Sequence, residues 1–300
     1  MLVELWANLL AGLYLYLRPM IKWLIRRVTG KCELLRITYQ YTQGAQRTKC
    51  IEYSLKRSSS RQLQRLVKEE DTNIEAAVVL VMKEKKVFPE VHSQFEPIFR
   101  QSLIQINGYV CLMYAVENLR QIKFSSENSD HEKKLMKLWG ILGQGEALTS
   151  RISSQWTQIG FQGNDPMTDF RGMGLLGLEQ LLYFCTKYGN EAKAMLSRSH
   201  HPKTGYSYAI VGINMTELVY HLMKTGRLRT HFYNKFTTRP SLDDFHEVYC
   251  CVFHEFDSFW ISENPKDIMD FGRIREKYRK KIASMLKDRK TILSASFQET

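Results

Sequence analysis

Residues 171–177 read Arg-Gly-Met-Gly-Leu-Leu-Gly, and two different chemistries could use them. Gly172, Gly174 and Gly177 have the G-x-G-x-x-G spacing of a dinucleotide-binding turn, and Glu191 falls near the expected position of a ribose-binding acid. Arg171 offers a planar guanidinium suited to phosphate oxygens instead. The glycine reading requires a buried strand that delivers the turn to the phosphates. Upstream, "IGFQGNDPMTDFR" contains the turn signal Asn164-Asp165-Pro166 and no run of β-branched residues. Downstream, Leu175, Leu178, Leu181 and Leu182 recur at helical spacing. These glycines therefore lie in or at the start of a helix. The dinucleotide reading fails.

Chemistry at Arg171 needs elements to hold it, and the pattern predicts an all-α chain. Helical periodicity covers about 62–85, 95–120, 131–143, 150–159, 171–187, 191–197, 206–224, 242–261 and 266–287. The clearest start is Ser241-Leu242-Asp243-Asp244, a capping box ahead of the stripe Phe245, Val248, Tyr249, Val252, Phe253, Phe256 and Trp260. Asn164-Asp165-Pro166 and Asn264-Pro265 punctuate the pattern, and Gln43 to Arg65 reads as a polar stretch. No segment alternates with period two for long enough to propose a sheet. Residues 1–27 read as an apolar and basic segment, 28–129 as a helical region and 288–300 as a tail.

Between helices, the stretch 156–174 crowds together Trp156, Gly160, Phe161, Gln162, Pro166, Thr168, Asp169, Phe170, Arg171, Gly172 and Gly174. Glycines and proline set an irregular backbone, and aromatics can anchor it. Thr168 or Asp169 is placed to cap the following helix, which would put Arg171 in a first turn, where a cation opposes the helix dipole. Such a position needs a compensating reason. One is an ion pair with Asp169 or bonds to loop carbonyls. The other is a partner's phosphates.

The run "WTQIGFQGNDPMTDFRGMGLLGLEQLLYF" resembles the signature of the ELMO domain, W-x3-G-F-Q-x3-P-x-T-D-F-R-G-x-G. "GAQRT" at 44–48, "HPKTGYSYAIVGIN" at 201–214 and "HEFDSFW" at 254–260 are similar too, so the resemblance covers most of the chain, nearest the small single-domain members. It implies a multi-helix ELMO domain over 130–287 and a GTPase-activating protein for Arf-family and Arf-like small GTPases. The chain would thus be a regulator of a partner's hydrolysis rather than an enzyme in its own right. It implies that Arg171 is the catalytic arginine and that Trp156, Gly160, Phe161, Gln162, Pro166, Thr168, Asp169, Phe170, Gly172 and Gly174 bind the partner or position the loop. The GTP and Mg²⁺ would be the partner's, leaving no cofactor or metal here. The alternative is a non-catalytic helical adaptor, as in the larger ELMO scaffolds.

The remaining chemistry is electrostatic. The net charge is +12, concentrated in residues 1–68 and 266–290. No P-loop, zincin helix or nucleic-acid motif accompanies it, which leaves an anionic membrane surface rather than nucleic acid as the partner of the N-terminal cations. The run Leu5–Leu17 is thirteen residues, short of the roughly twenty that span a bilayer, and Arg18-Pro19 interrupts it. Trp6, Tyr14, Tyr16 and Trp23 with Lys22, Arg26, Arg27 and Lys31 suit a helix lying in the interface, or one packed on the domain. Six scattered cysteines without a C-x-x-C pair point to reduced thiols. The expected location is the cytosolic face of an intracellular membrane, with the endoplasmic reticulum and lipid droplets as candidates.

Overall fold

The computed structural model describes residues 2–294 except 71 and 144, and it leaves the side chains of Leu2 to Leu5, Ala7, Asn8, Ala11, Tyr14 and Leu15 undescribed. The side chains of Tyr14 and Leu5, invoked above for the apolar segment, and residues 295–300 of the tail thus lie outside what is described. The described residues are all-α, with no strand among them. They form two compact units, 1–107 and 108–300, and the division falls inside one long helix.

The first unit holds α1 (Leu2–Thr29), α2 (Glu33–Gln40), α3 (Ala45–Lys56), α4 (Arg61–Arg65), α5 (Ile74–Lys85) and the start of α6 (Phe95–Gln121). The polar stretch after Gln43 is helical after all. Ala45, Thr48, Ile51, Glu52 and Leu55 share one buried face of α3, and Thr48 Oγ1 donates to Gln105 at 2.6 Å, so a mixed stripe does what an apolar one usually does. The expected helix 62–85 is two. Ser60 caps α4, and Asn73 accepts the Ala76 amide at 3.0 Å to start α5 afresh.

Arg18-Pro19 does not interrupt α1, which runs through both. Proline removes one helical hydrogen bond. Tertiary contacts of Arg18 offset that loss: its guanidinium is buried, 2.9 Å from Glu33 and 4.9 Å from the Tyr53 ring centroid. Lys22 sits 2.6 Å from the same carboxylate, and Ser54 donates to it as well. Burial alone would raise the Glu33 pKa, but the bonds from Lys22 and Ser54 and the nearby charges hold it below the usual range.

The second unit continues α6 and adds α7 (Ser129–Leu142), two 3-10 turns (Ser154–Ile159 and Pro166–Arg171), α8 (Gly174–Lys187), α9 (Gly189–Ser199), α10 (Tyr208–Lys224), α11 (Arg229–Lys235) and α12 (Leu242–Ser262). A third 3-10 turn (Ile268–Asp270) leads into α13 (Phe271–Met285). At the centre, α8 packs against α7, α9, α10 and α12, with ten of its fourteen residues buried. Its crossing with α10 is close: a methyl group on Gly212 would meet Leu181 at 2.5 Å and the Tyr249 hydroxyl at 3.0 Å. The capping box at Ser241 forms as expected, and its whole aromatic stripe is buried. α11, at seven residues, is too short for its periodicity to register in the sequence.

The basic α13 is a solvated face. Arg275 reaches Glu217, Lys277 reaches Glu263 and Arg279 reaches Glu276, while Ile274, Tyr278 and Ile282 turn inward. All six cysteines are free thiols.

Candidate functional site

Local chain geometry around the arginine follows from three kinds of residue. The first is glycine. Gly160 has φ +83, and a Cβ there would run into the Tyr208 amide nitrogen, while its carbonyl accepts the Ile210 amide at 3.1 Å. Gly174 has φ +55 and lies against the Arg120 and Ile122 carbonyls, with Leu175 N donating to Ile122 O at 2.8 Å. Both positions combine a left-handed backbone with a close approach, so neither accepts a side chain.

The second kind is aromatic. Trp139, Trp156, Phe161, Phe170 and Phe124 form a row with successive ring centroids 5.3, 5.8, 5.6 and 5.5 Å apart. Trp156, Phe161 and Phe170 are 0, 3 and 1 % exposed, and the Trp156 indole donates to the Arg151 carbonyl at 2.9 Å. Burial of that area, reinforced by edge-to-face contacts, ties the loop to the core. Pro166 is buried beside them.

The third kind is polar and corrects the capping expected from sequence. Asp165, not Thr168 or Asp169, is the N-cap, and it caps the 3-10 turn Pro166–Arg171, accepting the Met167 amide at 3.0 Å. The pair Asp165-Pro166 carried that signal, since proline suits the first position after a cap. Thr168 donates its hydroxyl to the Asp165 carbonyl at 3.0 Å, and Asp169 accepts the Gln162 amide at 2.8 Å. Burial pushes the Asp169 carboxyl above its ordinary pKa despite that amide. The α8 helix begins only at Gly174, capped by Met173 without a side-chain bond.

Arg171 therefore ends a short turn instead of opening α8, and the dipole penalty expected for it does not arise. Its side chain is exposed and Nε donates to the Thr168 carbonyl at 2.7 Å. No carboxylate makes an ion-pair contact with it among the described residues; Asp169 accepts the Gln162 amide and feels the Arg171 charge only through space. Gln162, Thr168 and Gly172 are exposed as well, with Met167 39 % exposed. The structure thus separates the predicted residues into a buried set (Trp156, Gly160, Phe161, Pro166, Phe170, Gly174) and a surface set centred on Arg171, with Asp169 half-buried between them. Among the described residues no cluster of His, Cys, Asp or Glu is arranged to hold a metal.

The model of the ELMO/CED-12 family matches residues 114–275. The chain is 46 % identical over 294 residues to ELMO domain-containing protein 2 of Mus musculus, spanning 98 % of this chain and 99 % of that protein. Its likeness to ELMO domain-containing protein 1 of Pongo abelii is 45 % over 285 residues, 89 % of this chain and 87 % of that one. ELMO domain-containing protein B of Dictyostelium discoideum is 34 % identical over 275 residues, 90 % of this chain and 95 % of its own. No solved structure matches.

Proposed function

The chain belongs to the ELMO/CED-12 family, and from that premise we propose that it is a GTPase-activating protein for Arf-family or Arf-like small GTPases. One observation carries the reading: an exposed arginine, in ion-pair contact with no carboxylate among the described residues although Asp169 lies near enough to feel its charge, stands on a turn whose aromatic residues are buried in a row. Hydrolysis of GTP spreads negative charge over the γ-phosphoryl oxygens and the β–γ bridge. A guanidinium inserted in trans stabilises that charge, contributing about a thousand- to a hundred-thousandfold in rate. The bond to Thr168 engages Nε and leaves the terminal nitrogens without a hydrogen bond among the described residues. Nucleotide and Mg²⁺ belong to the partner.

Single-turnover GTP hydrolysis by a panel of Arf-family proteins, with and without the chain, tests this. At least one should be accelerated by about a thousandfold or more. Binding of a GTP-loaded partner without acceleration would instead make the protein an adaptor.

Gly172 supplies a second test. It is exposed, its φ is −81°, and a methyl group there meets nothing within 4 Å. The chain's own packing does not demand glycine; a partner backbone passing beside Arg171 would. Gly172→Ala is expected to leave the melting temperature unchanged or raise stability by about 0.4–1 kcal/mol, while lowering the stimulated rate about tenfold. An unchanged rate would place Gly172 outside the contact.

Membrane attachment is part of the same proposal. Trp6, Leu9, Leu10, Leu13, Tyr16, Met20, Trp23, Leu24 and Val28 are exposed and repeat at three- and four-residue intervals along α1. They form one stripe about 33 Å long at 1.5 Å per residue. No helix among the described residues is long and apolar enough to cross a membrane. A stripe of this kind suits the cytosolic face of an anionic intracellular membrane. Glu33 holds Lys22, so the charge left beside the stripe is that of Arg26, Arg27 and Lys31, and the nine apolar side chains should outweigh it. Liposome co-sedimentation is expected to fall only modestly between about 0.05 and about 0.5 M salt. It should disappear when Leu9, Leu13 and Leu24 become aspartate, with melting unchanged. Full binding by that variant would remove the stripe from the membrane account.

A further inference from the structure

The turn that carries Arg171 is strapped to α7 by a side chain that belongs to no motif. Arg151 lies half-buried in the connection after α7. Its Nε donates to Glu132 Oε1 and Oε2 at 2.9 and 2.7 Å, and its Nη1 donates to Asp165 Oδ1 at 3.0 Å. That same Oδ1 accepts the Met167 amide and so caps the turn. The Asp165 carbonyl accepts the Thr168 hydroxyl, and the Thr168 carbonyl accepts Arg171 Nε. Polar contacts therefore run without a gap from Glu132 through Arg151 and Asp165 to Arg171.

Arg151 also touches the aromatic row. Its carbonyl accepts the Trp156 indole, and its guanidinium carbon lies 5.9 Å from the Phe124 ring centroid. One residue thus joins the polar strap to the buried support under the same turn. Glu132 and Asp165 need their two contacts from different nitrogens of one planar group. Lysine, a point charge on a flexible stem, cannot hold both in that geometry.

We infer that Arg151 is a positioning residue for Arg171: it fixes Asp165 at the start of the turn, and with it the direction in which the Arg171 guanidinium leaves the surface. The consequence for hydrolysis rests on the GTPase-activating reading; the consequence for the turn does not. A group this far from the phosphates acts only through geometry. Misplacement of about 1 Å at a reacting centre can lower a rate about a hundredfold without weakening association.

The test uses the full chain and the variants Arg151→Ala, Arg151→Lys and Asp165→Asn. Amide hydrogen exchange should quicken about tenfold at residues 167–172 and stay at the parental level in α8. In single-turnover assays with the accelerated GTPase, the maximal rate should fall by about tenfold to a hundredfold. The concentration giving half-maximal stimulation should move by less than about twofold, since docking is untouched. Lysine at 151 should behave like alanine. Asp165→Asn, which keeps a capping oxygen but removes the charge facing Arg151, should give the same pattern more weakly and serves if the alanine variant does not fold. Parental exchange at 167–172 in the Arg151 variants would overturn the inference, as would a uniform rise in exchange across the unit with rate and half-maximal concentration shifting together. If the parent accelerates no GTPase, the functional reading fails while the exchange measurement still decides the strap.

Discussion

Replacing Arg171 with alanine is expected to leave a folded protein whose stimulation of GTP hydrolysis is lost by about a thousandfold or more. The side chain is exposed and contributes one hydrogen bond to a carbonyl of its own turn, so stability should change by no more than about 0.5 kcal/mol. Arg171→Lys should be nearly as inactive, because an ammonium cannot contact bridging and γ-phosphoryl oxygens together. Single-turnover kinetics beside thermal melts check both statements. Stimulation surviving in both variants would take Arg171 out of the chemistry. Activity and melting temperature falling together would make its bond to Thr168 a structural one.

The second large effect is on stability. Trp156→Ala and Phe170→Ala each remove a fully buried ring from the row beneath the turn, and each should cost about 3–5 kcal/mol. For Trp156 the loss includes the partner of the Arg151 carbonyl, which would then be left without its indole donor. Denaturant unfolding measures this directly. Variants that unfold like the parent yet fail to bind a GTPase would move these rings from core to interface.

Much of this arrangement was legible beforehand because its signals are local. The capping box at Ser241, the stripe from Phe245 to Trp260 and the leucine spacing after Gly174 depend on neighbours within one or two turns, and the structure repeats them. The loop's glycines, proline and aromatics announced an irregular, anchored segment for the same reason. Misreadings arose where distant contacts decide. Arg18-Pro19 looked like a break because Glu33 and Tyr53, which hold Arg18 in the helix, are remote in sequence. α3 was missed because its buried face is partly polar, completed by Gln105. Near the arginine, Asp165-Pro166 spells a loop and a cap alike, and Arg151 carries no signal at all. Its partner Glu132 lies nineteen residues away on α7. The cap expected at Thr168 or Asp169 fails since each finds a nearer partner in the folded loop.

The central claim is that the Arg171 guanidinium meets the charge that develops on the transferring phosphoryl group. Its most direct test is the affinity of the chain for a GDP-loaded Arf-family GTPase with and without aluminium fluoride, which mimics that planar group. Transition-state mimics bind at least about a hundredfold more tightly than ground states when the site is built for them. The account predicts such a gain for the parent chain and its disappearance in Arg171→Ala, with affinity for the GTP-loaded partner little changed. Equal affinity with and without fluoride, or a gain that survives in Arg171→Ala, would contradict it.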